Sequence, residues 1–225
     1  MIEEPVIMLI MNCKNYEWKA DIQRNTWLKK IPSFITYYHV IGNENLESEY
    51  KFVNDTDNNN NNDNNIKKNI LYVKTKDDYN SLPNKVITSF KAVNETFIYK
   101  YIFKTDDDQN LTNQNFLEVL YKLITSKGVT IHYGGHIIDV TQPHISQYYK
   151  IHPELPKDLP IKITKYCSGR FYFLSFEAIQ DLLSKREIII KEFLEDYSIG
   201  YNLNDCFKNN ILKLNTNTIF IDNFM

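Results

Sequence analysis

A basic excess is missing from this chain. Its 26 lysines and arginines face 28 aspartates and glutamates, for a formal net charge of −2. Nothing in that balance calls for nucleic acid or an anionic membrane as partner. Cysteine is scarce. Cys13, Cys167 and Cys206 are too few and too scattered for a disulfide framework or a zinc site, so they read as reduced and structural. Long apolar runs are also missing. The acidic start, Met1-Ile2-Glu3-Glu4-Pro5, leads into only six apolar residues, Val6 to Met11, which make neither a secretory signal nor a membrane span. The expectation is a soluble, cytoplasmic chain, or else a fragment of a longer one. The five histidines (His39, His132, His136, His144, His152) fall at no metal-ligand spacing on one element. His132 and His136, flanking Gly134-Gly135, read as loop or cleft residues.

What is present is enough for a substantial core. The chain has 225 residues, 43% of them hydrophobic and 14% aromatic, expected to form a single domain over 1–225. Val6–Met11 is continuously apolar, as a strand buried on both faces would be. Helical spacing over Asp21 to Lys30 stops before Pro32, and a second strand over Phe34–Ile41 closes at Gly42. This β-α-β opening predicts an α/β fold with a right-handed crossover. Asp55 to Asn65, with five consecutive asparagines from Asn58, reads as a disordered insertion. Such runs fit an AT-rich coding sequence, as in a protist or a large DNA virus. A short strand over Ile70–Val73 and a helix over Leu82 to Glu95 follow. Thr112 is expected to cap a helix with its apolar face at Phe116, Leu117, Leu120 and Leu123/Ile124. Val129–Tyr133 reads as a strand ending at Gly134-Gly135. The Pro-, His- and Tyr-rich 139–165 stretch reads as loops and short strands over one end of the sheet. Phe171–Leu174 is a strand, Ser175 caps a helix over Phe176–Ser184, and Glu195-Asp196 open another. The tail from Ile211 adds a last strand.

Chemistry concentrates in Tyr101 to Asp108, where an apolar strand ends in three carboxylates. Adjacent carboxylates repel one another and resist burial, so a positive partner is expected there, most simply a divalent cation. Alternation along a strand puts Asp106 and Asp108 on one face and Asp107 on the other. That is the spacing of a DxD motif, in which a carboxylate-held metal meets the diphosphate of a nucleotide-sugar. Three aspartates can also simply end a strand in an acidic turn.

Further segments carry a resemblance. Arg24-Asn25-Thr26-Trp27 is similar to R-x-T-W. Tyr38 to Gly42 is similar to an F-x-x-G strand end, and Asp77 to Lys85 to D-x-Y-x-N-L-x-x-K. Tyr101 to Asp108 resembles Y-x-x-K-T-D-D-D, Tyr166 to Gly169 matches Y-C-S-G, and Glu195 to Gly200 is similar to E-D-V-Y-x-G. Together, in this order, they resemble the glycosyltransferase family 31-like group of β-1,3-galactosyltransferases, β-1,3-N-acetylglucosaminyltransferases and Fringe proteins.

The resemblance implies a GT-A fold, a Rossmann-like mixed sheet flanked by helices with the DxD at the end of a central strand. It also implies a UDP-sugar donor, Mn²⁺ or Mg²⁺, a glycan or glycoprotein acceptor, and inversion at the anomeric carbon. Asp108 is then the first choice of metal ligand, with Asp106 as metal or nucleotide contact and Asp107 as a further nucleotide contact. Asp196 is the candidate general base, its pKa expected to be lowered by a helix N-terminus; an ordinary helix cap is the alternative. Arg24 and Lys85 read as diphosphate or nucleotide contacts, or as solvated surface charges. Lys104 is a sheet-buried ion-pair candidate, Glu195 structural or an acceptor contact, and Trp27 core. Two departures stand out. No histidine follows His152, so Asp222 or water must take the late histidine's place on the metal. Arg170 and Phe171 follow Y-C-S-G, where the family has small residues; Arg170 could reach the diphosphate. A metal-dependent phosphohydrolase or an inactive glycan-binding relative are the rival readings.

Overall fold

The computed structural model of the chain describes residues 1–56, 67–126, 128 and 130–222. Its principal strands are β1 (Val6–Met11), β2 (Ile35–Gly42), β3 (Tyr50–Thr56), β4 (Lys67–Val73), β5 (Tyr101–Asp106), β6 (Gln109–Leu111), β7 (Tyr133–Val140), β8 (Thr164–Ser175), β9 (Leu212–Lys213) and β10 (Phe220–Asp222). The main helices are α1 (Glu17–Asn25), α2 (Leu82–Thr96), α3 (Phe116–Thr125), α4 (Phe176–Ser184) and α5 (Glu195–Asn202). Eight strands form one mixed sheet in the order β9-β7-β8-β5-β1-β2-β4-β3. The β5-β1-β2-β4 centre is parallel, and β8 runs antiparallel to β5. This is the mixed α/β sheet, flanked by helices, that the sequence leads one to expect. No helix among the described residues is long and apolar enough to cross a membrane.

Strand β1 shows why the core has two halves. Ile7, Leu9 and Met11 pack on one face with Val86, Ile87 and Phe90 of α2. Val6, Met8 and Ile10 pack on the other with Trp27, Leu117 and Leu120. A period of two with both faces apolar requires a helical layer on each side. Burying each such side chain contributes about 1.5–3 kcal/mol. The carboxyl ends of β1, β2 and β5 are left at one edge, where open α/β sheets bind ligands.

Several expectations need correction. Asp55 and Thr56 end strand β3, which pairs antiparallel with β4; the rest of the expected insertion, 57–65, lies outside the described residues. The strand expected over 129–133 instead begins at Tyr133 and runs through both glycines to Val140. The glycines do not end the strand; they let it lie close to its neighbours. A Cβ at Gly135 would stand 2.8 Å from the Phe171 carbonyl oxygen and from Cys167 Cβ, and Gly134 lies against the Phe173 ring. Glycine within a strand commonly marks such a close approach. Thr112 caps no helix, since its hydroxyl donates to the Thr218 and Ile219 carbonyls. Leu123, expected on the apolar face of α3, is exposed, whereas Leu117, Leu120 and Ile124 are buried. The strand at Phe171 is far longer than expected, because Tyr166-Cys167-Ser168-Gly169 belongs to β8 and pairs with β7 up to an irregularity after Cys167. Ser175 does cap α4, its Oγ accepting from Ala178 N at 3.3 Å.

Candidate active site

The chemistry-bearing residues meet because β5 and β8 are antiparallel neighbours and α5 packs across β8. The packing is close at Gly200, where a Cβ would stand 2.7 Å from Tyr166 Cα. Any larger residue there would lift the carboxylate-bearing turn of α5 off the strand.

Lys104, on β5, is 1% exposed. Its Nζ lies 2.7 Å from Asp106 Oδ1 and 3.2 Å from Glu195 Oε2, and donates to the Gly169 carbonyl at 2.8 Å. These carboxylates push its pKa up and keep it charged against the cost of burial. Glu195 is fully engaged, since its other oxygen accepts from the Tyr172 hydroxyl. The structure thus gives Lys104 its buried pairs and holds Glu195, 5% exposed, as their structural partner.

Asp196, at the start of α5, is half-buried. One carboxyl oxygen accepts from Gly169 N at 3.0 Å and the other from Tyr197 N at 2.7 Å. Its pKa is raised, contrary to the expected lowering. Burial outweighs the two N–H donors and the Lys104 charge, and α5 spans only eight residues. A raised pKa makes a carboxylate a stronger acceptor of protons near neutrality.

Asp196 lines a cavity of about 420 Å³ together with Tyr79, Lys104, Asp106, Tyr148, Tyr166 and Arg170. Ser168, Gly169, Leu194 and Glu195 complete much of its floor. Tyr148 and Tyr79 come from distant loops. His152 ties them together, its ring stacked on Tyr79 at 3.7 Å and parallel to Tyr148 at 6.4 Å. No local pattern in the sequence points to this stack, because it joins segments some seventy positions apart; only the richness of 139–165 in His and Tyr hints at it.

The three aspartates do not act alike. Asp106 lines the cavity, and its pKa is raised to about 6 by burial and by the like charges of Asp108 and Glu195, against Lys104. Asp107 is buried on the other side, 3.4 Å from Lys19 Nζ, with its pKa raised to about 7 chiefly by burial. It does not line the cavity. Asp108 Oδ1 and Asp222 Oδ1 each accept from the same Gln109 Nε2, both at 2.8 Å. Gln109 Oε1 is buried with no partner among the described residues. Among the described residues no three such side chains are already gathered as a chelating group; the Gln109 amide lies between two of the carboxylates.

Arg170 stands at the cavity rim. Its guanidinium donates to the Phe220 carbonyl at 2.8 Å and meets Asp222 at 3.2 Å. The short β6–β10 ladder therefore brings Asp222 to the Asp108 end of the site.

The structure does not bring Arg24 or Lys85 to the cavity. Lys85 is buried, its Nζ at 2.5 Å from Asp77 Oδ1 and donating to the Asn12 carbonyl at 2.9 Å. Arg24 is buried against His39, donating to Nδ1 at 3.3 Å, and pairs with Asp21 at 2.6 Å. That fixes the His39 tautomer. Nε2 carries the proton and donates to Gln23 Oε1 at 3.1 Å. The Gln23 amide then donates to the Asp106 and Gln109 carbonyls at 3.1 and 2.9 Å. Arg24 thus acts on the aspartate turn through two intermediaries.

His39 carries a pH consequence. Burial and the Arg24 charge hold its pKa well below the ordinary 6.5. Below pH 6.5 the unfolded chain therefore takes up a proton that the folded chain refuses, and stability falls as pH falls. Relative to His39→Gln, the wild type is expected to lose up to about 1.4 kcal/mol per pH unit below that point. Urea unfolding of both proteins between pH 7 and 5 measures it; parallel curves would mean that His39 is protonated in place.

A family model described as galactosyltransferase matches residues 20–210. No curated protein matches the chain significantly in sequence. Among solved structures, the glycosyltransferase GlyE of Streptococcus pneumoniae TIGR4 is similar over 95% of this chain, at 9% identity and a TM-score of 0.46; this chain covers 45% of that one. Mouse xyloside xylosyltransferase 1 is similar over 95% of this chain and 85% of its own, at 10% identity and a TM-score of 0.39. The 2-C-methyl-D-erythritol 4-phosphate cytidylyltransferase of Francisella tularensis is similar over 93% and 90%, at 10% identity and a TM-score of 0.43.

Proposed function

The chain belongs to the galactosyltransferase family and is a glycosyltransferase; on that premise we propose that it moves a hexose or N-acetylhexosamine from a UDP-sugar to an acceptor hydroxyl, inverting the anomeric carbon. The acceptor is a glycan or glycoprotein and the linkage of β-1,3 type, as the family resemblance suggests. The work is done by one domain. The observation that carries this reading is the cavity itself. Asp106 from the end of a central strand and Asp196 from the start of α5 line one chamber around the buried Lys104.

Asp196 is the general base in this reading. It takes the proton from the acceptor hydroxyl as that oxygen bonds the anomeric carbon and the bond to the UDP oxygen breaks. Its two backbone donors aim the carboxylate, and Lys104 holds the part of β8 that supplies one of them. The residues at the other end fit a hard divalent cation in type. Asp106, Asp108 and Asp222 are oxygen donors, and the Gln109 amide, whose oxygen is orphaned, lies against the last two through its nitrogen. Mn²⁺ or Mg²⁺ bound there would supply the Lewis acidity that neutralises the charge departing with UDP. Arg170, already beside Asp222, is the cationic side chain best placed to meet the diphosphate.

The test is UDP release from a panel of UDP-sugars with Mn²⁺ and a mixed glycan acceptor. Turnover with at least one donor is expected; glycan binding without any turnover would make the chain an inactive relative. Asp108→Ala should weaken Mn²⁺-dependent UDP binding by about 100-fold, the upper end of what loss of even an outer partner costs a metal site. Calorimetry with and without Mn²⁺ reads it, and unchanged affinity removes Asp108 from the set.

A further inference from the structure

We propose that a second sugar-binding position adjoins the catalytic cavity, built on Tyr197 and Tyr201 of α5, and that it takes the penultimate pyranose of an oligosaccharide acceptor. The inference rests on the glycosyl-transfer reading above and names the class of acceptor.

A second, smaller cavity of about 110 Å³ lies beyond the first, with Ile161 and Leu194 as shared walls. Its remaining surface is chiefly rings and a proline, from Phe193, Tyr197, Tyr201 and Pro160. The rings form a connected series. Tyr166, which lines the catalytic cavity, meets Tyr197 edge to face at 5.8 Å and 88°. Tyr197 and Tyr201 then stack at 5.5 Å and 17°. The two tyrosines are four residues apart on α5, the spacing that puts side chains on one helix face. Asp196 directly precedes Tyr197, so the proposed base and the ring platform are carried by the same helix.

The chemistry of the walls selects the occupant. A pyranose has an apolar face of C–H groups and a rim of hydroxyls. Aromatic walls suit the face. Lys162 and Glu192, at the edge of the same cavity, suit the hydroxyls as donor and acceptor. Lys162 is tied to the platform twice, its backbone N–H donating to the Tyr197 hydroxyl at 3.0 Å and its Nζ lying 5.3 Å from the Tyr201 ring. A lipid tail would offer neither charge a hydrogen-bond partner, whereas a sugar ring offers both. Its place beside the catalytic cavity, across Ile161 and Leu194, puts the occupant next to the acceptor sugar whose hydroxyl attacks the donor, hence one residue back along the acceptor.

The experiment compares transfer to methyl β-glycosides of galactose, glucose and N-acetylglucosamine with transfer to those of lactose, cellobiose and chitobiose. Each pair shares its non-reducing sugar. At least one disaccharide is expected to exceed its monosaccharide by about tenfold in kcat/KM, mostly through KM, the worth of one well-made ring contact. Tyr201→Ala should collapse that ratio toward one. Lys162→Ala, which keeps the backbone bond to Tyr197 and removes the ammonium beside Tyr201, should lower it several-fold. Saturation-transfer NMR on the same disaccharides with Mn²⁺ and UDP should mark both rings in the wild type and only the non-reducing ring in Tyr201→Ala. Ratios near one in every pair, or a ratio that survives Tyr201→Ala, would overturn the proposal, as would a second ring that receives no saturation. Failure of the underlying reading is separate, since it shows as absent UDP release from every donor.

Discussion

Replacing Asp196 with Asn is expected to lower kcat by ~10²–10⁴-fold, the usual worth of general-base catalysis, while UDP-sugar affinity stays near that of the wild type. Asn keeps one side-chain oxygen to accept from Gly169 N or Tyr197 N, so the turn should hold its shape. It cannot take the acceptor's proton. The proposed donor end of the site, at Asp108 and Asp222, is built from other elements. Binding and turnover should therefore separate, with calorimetry reading one and transfer at saturating acceptor the other. Had Asp196 served only as a helix cap, the substitution would cost little, because Asn caps about as well as Asp. The cap position is in fact Leu194, which offers no side-chain bond. Near-normal turnover in Asp196→Asn would remove it from the mechanism.

Lys104→Met should be the most damaging single change to the fold around the site. Lys104 is the buried cation between Asp106 and Glu195. Removing one member of a buried ion pair costs about 3–5 kcal/mol, because the partner is left charged and dry. The larger share should fall on Glu195, whose side chain is 3% exposed, since Asp106 at 32% can recover some water. The double variant Lys104→Met/Glu195→Gln should regain part of the loss, because a neutral amide needs no counter-charge and can still accept from Tyr172. Urea unfolding of the wild type and both variants measures this. Equal stabilities for the two variants would show that Glu195 already takes up a proton when Lys104 is gone.

The two-sided strand at Val6–Met11 and the carboxylates at the end of Tyr101–Asp106 were legible because each is written in neighbouring residues. A period of two and a run of charge need no tertiary information. The motif segments were legible as a set, and their order agrees with the strand and helix order observed. The glycine pair at 134–135 misled because its meaning depends on Phe171, Cys167 and Phe173, which lie across the sheet. Arg24 and Lys85 misled for a related reason. A cation in a motif looks like a ligand contact until its neighbours are known, and His39 and Asp77 are brought to these two by β2 and by the loop before α2. The lowered pKa expected for Asp196 followed from a helix end alone and omitted burial, which no local pattern reports. The Tyr79–His152–Tyr148 stack and the Gln109 bridge had no local signal.

Gly169 lies between the two charged centres. Its N–H is bound to Asp196 and its carbonyl to Lys104. One residue thus touches Asp196 through one backbone atom and the buried ammonium through another. The ¹⁵N and ¹H resonances of that amide should follow the ionisation of Asp196 and move little with that of more distant carboxylates. The charge state of the proposed base could then be followed by spectroscopy in resting protein, with neither donor nor acceptor bound.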